Sequence, residues 1–184
     1  MKIISGEKRG TKLFSFSGRN IRPTSQRVKE AIFNVLKSRN YDFKEKIIYD
    51  LFAGTGSLGL ETLSRGSKKV YFFDNDRQSL KILGKNVNKL KYSDYCEIIE
   101  TDLENYNFLS PKKPNLIFCD PPYNSNFICF ILEFLLEKKI IEKNCLIIIE
   151  TSKKNIFNFK NRFEILEDRT YGKTKVYFLK KIIN

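Results

Sequence analysis

Short apolar runs rich in β-branched and aromatic side chains recur at Ile47 to Phe52, Val70 to Phe73, Leu116 to Cys119 and Leu146 to Ile149, and each predicts a strand. A weaker run at Glu97 to Glu100 adds a third strand between the second and the fourth. Helical spacing fills the gaps near 57–65, 77–90 and 125–138. Strand and helix in alternation argue for an α/β fold, a mostly parallel sheet with helices on both faces. Two more strands near 162–168 and 174–180 are separated by Tyr171-Gly172-Lys173. That gap has no room for a crossover helix, so an antiparallel hairpin ends the chain. Ahead of the first sheet strand, Ser25 to Leu36 sets Val28, Ala31, Ile32, Val35 and Leu36 at helical spacing after Pro23, with Thr24 or Ser25 as N-cap. The apolar stripe predicts a docking face, and periodicity puts Arg27, Lys29 and Glu30 on a solvated side.

With 184 residues, 41% of them apolar, the chain suits one large core and a small appendage. The expected division is a basic N-terminal segment with its docking helix, 1–40, and a main domain, 41–184. Charge supports the division. Residues 1–40 carry ten basic side chains against Glu7 and Glu30, a net +8, whereas the other 144 residues reach +5 of the total +13. A compositional drift toward Lys, Asn and Ile would scatter its lysines, so the local excess predicts a surface facing nucleic acid. Histidine is absent, which removes imidazole acid/base work and His-based triads, and Cys96, Cys119, Cys129 and Cys145 show no CxxC pairing. No metal site is expected. The cysteines read as buried thiols in a reducing cytoplasm, and no segment has the length and polarity of a signal peptide or membrane span.

The stretch DLFAGTGSLGLE, 50–61, sets Gly54, Gly56 and Gly59 in a G-x-G-x-x-G frame between a strand and a helix, with Asp74 at the end of the next strand. This frame also fits a dinucleotide. A pyrophosphate at a helix N-terminus is poorly served by a carboxylate beside it, yet Asp50 immediately precedes the loop. S-adenosylmethionine carries an ammonium and a sulfonium but no phosphate, so Asp50 favours it, and Asp74 can accept from its ribose hydroxyls. Asp102 is placed to accept from the adenine amine, with the Leu103 N–H as donor to the ring. A helix-capping role for Asp102 is an equal alternative.

CDPPYN, 119–124, closes the fourth strand. A turn would explain two prolines and an aspartate. The glycine loop upstream changes the balance, because the carboxyl ends of parallel strands form one lip where a cofactor and Asp120 would meet. An aromatic exocyclic amine is a weak nucleophile, its lone pair being delocalised into the ring. The Asp120 carboxylate and the Pro121 carbonyl could each accept one N–H and aim that lone pair. Pro121 and Pro122 stiffen the acceptors, and Tyr123 could stack on the extruded base.

IRPTSQRVKEAIFNVL, DLFAGTGSLGLETLSRG and DPPYN, in that order, resemble the RsmD family, the 16S ribosomal RNA guanine-N2 methyltransferases. IISGEKRGTKL near the start and RTYGKTKVYFL near the end extend the resemblance over nearly the whole chain. It implies a class I S-adenosylmethionine-dependent methyltransferase fold, Rossmann-like and seven-stranded, acting as a cytoplasmic monomer on one guanine of ribosomal RNA within small-subunit particles. Family cofactor contacts carry over onto Asp50, Gly54, Gly56, Asp74 and Asp102, target contacts onto Asp120 to Tyr123, and RNA contacts onto Arg9, Arg22, Thr24 and Arg27. Two positions depart from the pattern: Lys8 where Trp is common, and Gln26 where Asp is common. Three rival readings are a DNA adenine-N6 methyltransferase, a protein glutamine methyltransferase and a non-catalytic RNA-binding assembly factor. The chain leaves little room for a DNA-recognition domain, the cationic N-terminus has no use on a protein substrate, and the intact Asp-Pro-Pro-Tyr speaks against the third.

Overall fold

The computed structural model describes residues 1–16, 26–103, 112–121, 125–155, 157, 159 and 162–182, the side chains of residues 125 and 126 set aside. Among these, the strands are β1 (Ile47–Leu51), β2 (Lys69–Asp74), β3 (Cys96–Glu100), β4 (Leu116–Cys119), β5 (Leu146–Ser152), β6 (Phe163–Tyr171) and β7 (Thr174–Lys181). The helices are α1 (Gln26–Ser38), α2 (Ser57–Ser64), α3 (Arg77–Leu90) and α4 (Ser125–Glu137). One sheet has the order β3-β2-β1-β4-β5-β7-β6. The first five strands pair in parallel, and β7 pairs antiparallel with both β5 and β6. The expected sheet and terminal hairpin are therefore present.

Alternation along each strand sorts the core into two layers. Ile48, Val70, Phe72, Phe118 and Ile148 meet Val28, Ile32, Leu60 and Leu83 from α1, α2 and α3 on one face. Tyr49, Leu51, Ile117, Ile147 and Ile149 meet Ile128, Ile131 and Leu135 of α4 on the other. Strand order reverses between β1 and β4, so the helices leave opposite faces there and open a crevice at the strands' carboxyl ends. β1 and β4 are in register at Leu51 and Cys119, and β1 and β2 at Leu51 and Phe73. The residues that follow, Phe52, Asp120 and Asp74, thus stand at one level across three adjacent strands.

Residues 1–16 fold back on themselves through the Lys2–Lys12 bridge and dock on α2 and α3. Ile3 and Leu13 enter the layer beneath α1 to α3. One carboxylate organises this docking. Glu61, on α2 and fully buried, accepts the Ile4 N–H at 2.8 Å and the Ser5 N–H at 3.0 Å. It also pairs with Lys29 Nζ of α1 at 3.0 Å and with Arg65 at 3.0 Å. Lys29 is 0% exposed, which corrects the solvated position that periodicity suggested. Its ammonium, pulled below the ordinary lysine value by burial against the attraction of Glu61, also donates to the Lys2 carbonyl. An ion this deep survives because it is paired with an opposite charge and hydrogen-bonded to a carbonyl. Arg27 and Glu30 are exposed as expected, and Gln26 donates to Glu30. Cys129 is exposed, unlike the other three cysteines, because it lies on the outer side of α4.

At the far end of α1, Arg39 reaches the sheet's outer strand. It donates to the Leu166 carbonyl at 2.8 Å and pairs with Glu167 at 3.1 Å, where a bulge between Ile165 and Glu167 interrupts the pairing of β6 with β7.

Replacing Glu61 strands Lys29 in the core without a counter-charge. Glu61→Ala is expected to lower stability by about 3–5 kcal/mol in urea unfolding and to hasten hydrogen exchange at the Ile4 and Ser5 amides. Unchanged exchange there would mean that the other contacts suffice to hold the segment.

Candidate active site

The loop from Phe52 to Gly56 starts where β1 ends, and two carboxylates fix it from below. Asp74, closing β2, accepts the Gly54 N–H at 2.7 Å through one oxygen and the Asp76 N–H at 2.8 Å through the other. Asp50, buried within β1, accepts the Gly59 N–H at 2.8 Å through Oδ2. Gly56 has φ +81° and begins α2, a conformation open to glycine at little strain. At Gly59 a Cβ would lie 2.3 Å from the Phe72 ring, so the absence of a side chain lets α2 close onto β2. α3 starts just beyond, where Asp76 caps the Ser79 N–H at 2.8 Å and is held below the ordinary carboxylate range first by the Ser79 hydroxyl and then by backbone N–H groups.

Each oxygen of Asp74 retains a lone pair beyond the backbone N–H it accepts, so the side chain can both brace Gly54 and take a hydroxyl. Oδ1 of Asp50 has no hydrogen-bond partner among the described residues. Burial pushes the Asp50 carboxyl from 3.8 up to about 8; the Gly59 N–H opposes the shift, and Asp120 and Asp74 reinforce it. The sequence reading takes Asp50 for a standing anion. In the folded chain burial keeps it protonated at neutral pH, and the nearby Asp120 and Asp74 add to the effect.

Asp120 and Pro121 follow Cys119 directly, half-buried, one strand away from Asp50. Adjacent strands lie about 4.8 Å apart, which puts the Asp120 and Asp74 backbones about 10 Å apart with β1 between them. Asp102, half-buried, and Leu103, buried, stand beyond β3, where the Thr101 N–H donates to the Asp74 carbonyl and fixes the level of that segment. The five positions Asp50, Gly54, Gly56, Asp74 and Asp120 therefore meet at the mouth of the crevice, with Asp102 at its β3 side. Pro122 and Tyr123 lie outside the described residues, as do Arg22 and Thr24. Arg9 and Arg27 are exposed, Arg9 on the turn of the docked segment and Arg27 in the first turn of α1.

Sequence reasoning missed Glu150. It is buried on β5 one residue past Ile149, which pairs with Cys119, and so stands level with Asp120. An acid ending the apolar run Leu146 to Ile149 was the available signal.

The family described as Conserved hypothetical protein 95 matches residues 1–180. The Ribosomal RNA small subunit methyltransferase D of Haemophilus influenzae is 34% identical over 94% of this chain and 89% of its own. The protein of the same name from Escherichia coli is 30% identical over 84% of this chain and 76% of its own. Among solved structures, an Escherichia coli protein described provisionally as a methyltransferase matches with TM-score 0.85 at 25% identity, covering 98% of this chain and 97% of that one. A Haemophilus influenzae protein described provisionally as a methylase gives TM-score 0.79 at 31% identity, covering 99% and 98%.

The Asp50 proton makes stability depend on pH with a definite sign. The folded chain keeps it to about pH 8, and the unfolded chain releases it near 3.8, so this group's contribution falls as pH rises through that window. Asp50→Asn has no such proton to lose. Its urea midpoint should decline less than the parent's between about pH 5 and about pH 8; equal declines would show Asp50 already ionised.

Proposed function

The chain belongs to the RsmD family, the one described as Conserved hypothetical protein 95, and from that premise we propose that it methylates the exocyclic N2 amine of a guanine in small-subunit ribosomal RNA. Its fold is the class I methyltransferase fold, a seven-stranded sheet ending in an antiparallel hairpin. The observation that carries the proposal is the alignment of Asp120 and Pro121 with the braced glycine loop across the strand-order reversal. We propose cytoplasmic, monomeric action on ribosomal RNA held in small-subunit particles.

The lip fits S-adenosylmethionine. Its donors and acceptors suit a cation with a ribose: Asp50 Oδ1 for the ammonium, the Asp74 oxygens for the hydroxyls, and Asp102 with the Leu103 N–H for the adenine edge. When bound, this cofactor supplies a methyl group activated by a sulfonium.

The chain's own residues then have to solve an orientation problem. Guanine N2 is weakly nucleophilic, and rotating its lone pair out of conjugation requires both N–H groups to be held. The Asp120 carboxylate accepts one and the Pro121 carbonyl the other, which directs the lone pair at the incoming carbon. As the N–C bond formed and the sulfonium–methyl bond broke, the nitrogen would become acidic and its proton would pass to Asp120 or to water, so no strong base would be needed. A chain without histidine can run this reaction. Pro122 and Tyr123 are proposed to stiffen the acceptors and to stack on the base, and Arg9, Arg22, Thr24 and Arg27 to meet the surrounding RNA.

Transfer of labelled methyl from S-adenosylmethionine to small ribosomal subunits, free RNA, DNA and protein in parallel tests the reading. N2-methylguanine from RNA is the expected product; N6-methyladenine in DNA or N5-methylglutamine in protein would replace it with a rival. Asp120→Ala should bind the cofactor normally and turn over about a hundredfold slower or worse, and parental turnover would remove Asp120 from the mechanism. Asp74→Ala should weaken cofactor binding by about tenfold, measured by calorimetry, whereas an unaltered dissociation constant would take Asp74 away from the ribose.

A further inference from the structure

The outer face of α3 carries Arg77, Lys81, Lys85 and Lys89, four residues apart and all exposed. At 1.5 Å per residue this is a cation about every 6 Å along about 18 Å of helix. No acidic residue lies anywhere in α3 to offset them. Arg77 finds Glu100 on β3 at 2.9 Å, Lys89 donates to the Lys12 carbonyl at 2.7 Å, and Lys81 and Lys85 have no partner among the described residues. Like charges four apart destabilise a helix, and a cation in the first turn opposes the helix dipole. A merely solvated face would mix both signs.

A second observation lies at the C-terminal end of the same face. Phe14 is 49% exposed, yet its backbone is clamped on both sides by one residue of α3: Asn86 accepts the Phe14 N–H at 2.7 Å and donates to the Phe14 carbonyl at 3.1 Å. Lys89 Nζ sits 4.7 Å from the ring centroid. A large apolar ring is thus fixed at the surface, under a cation, beside a row of cations.

We infer that the α3 face and Phe14 form a track for the sugar-phosphate backbone of the RNA substrate, running from the cofactor lip toward the docked N-terminal segment. Lys81 and Lys85 neutralise successive phosphates, and the Phe14 ring offers a stacking surface to an unpaired base. This surface is on a different helix from Arg27 of α1 and would lengthen the footprint well beyond the target guanine. The inference depends on the RNA reading above and adds where the RNA runs.

The test is the salt dependence of binding to labelled 16S ribosomal RNA and to small ribosomal subunits, comparing the parent with Lys81→Gln/Lys85→Gln. The slope of log K against log salt should flatten by about 1.5, with affinity for S-adenosylmethionine and the thermal midpoint both kept. Phe14→Ala should lose affinity severalfold without a change of slope. If the parent methylates no RNA, the proposed activity fails. If the parent methylates RNA normally and the double variant keeps the parental slope, the track is refuted while the activity stands. A response confined to anionic lipid vesicles would likewise refute it.

Discussion

One carboxylate sealed away from water determines how the two ends of this protein's chemistry are joined. Glu61 stands on the helix that begins at the glycine loop, and it holds the docked N-terminal segment by two amides and α1 by Lys29. A buried ion pair is weak as a source of stability, since desolvation offsets most of its attraction, but it is exacting about geometry. The docked residues 1–16 are therefore held in a fixed place relative to the glycine loop. The Arg65 guanidinium, over the Phe33 ring at 4.4 Å, closes the cluster from the other side.

The charges of the chain are sorted by place. Aspartates gather at the lip of the sheet, close enough that burial and mutual repulsion hold a proton on Asp50. Unbroken by acids, a row of cations lines the outer face of α3, outside that lip. On the proposed reading, the first concentration would suit a cationic cofactor and the second a polyanion, so each ligand would be drawn to its own place.

Most of the fold was legible because strand and helix periods are local. The fourth strand, 116–119, matches its expected bounds, and the hairpin follows from a gap of Tyr171-Gly172-Lys173 that no helix could cross. The lip residues were legible for a related reason: in a parallel sheet, positions just past successive strands share one edge. What escaped was partnership across sequence. Lys29 has the spacing of a surface residue, and only its contact with Glu61, thirty-two positions later, explains its burial. The protonation of Asp50 follows first from its burial, reinforced by Asp120 and Asp74, and no single stretch displays that environment. The four-residue spacing in α3 was visible throughout, yet a cationic helix face has no evident meaning until Phe14 is seen pinned beside it.

The bulge in β6 bears on how the molecule behaves in a crowded cell. An outermost strand normally offers neighbours an unbroken ladder of free amides and carbonyls, the template from which fibrils and swapped dimers grow. Here the extra residue at Leu166 breaks the ladder's rhythm and the Arg39 side chain occupies its carbonyl, so a passing chain finds no continuous register to copy. The same arginine that finishes α1 also guards the protein against its own kind.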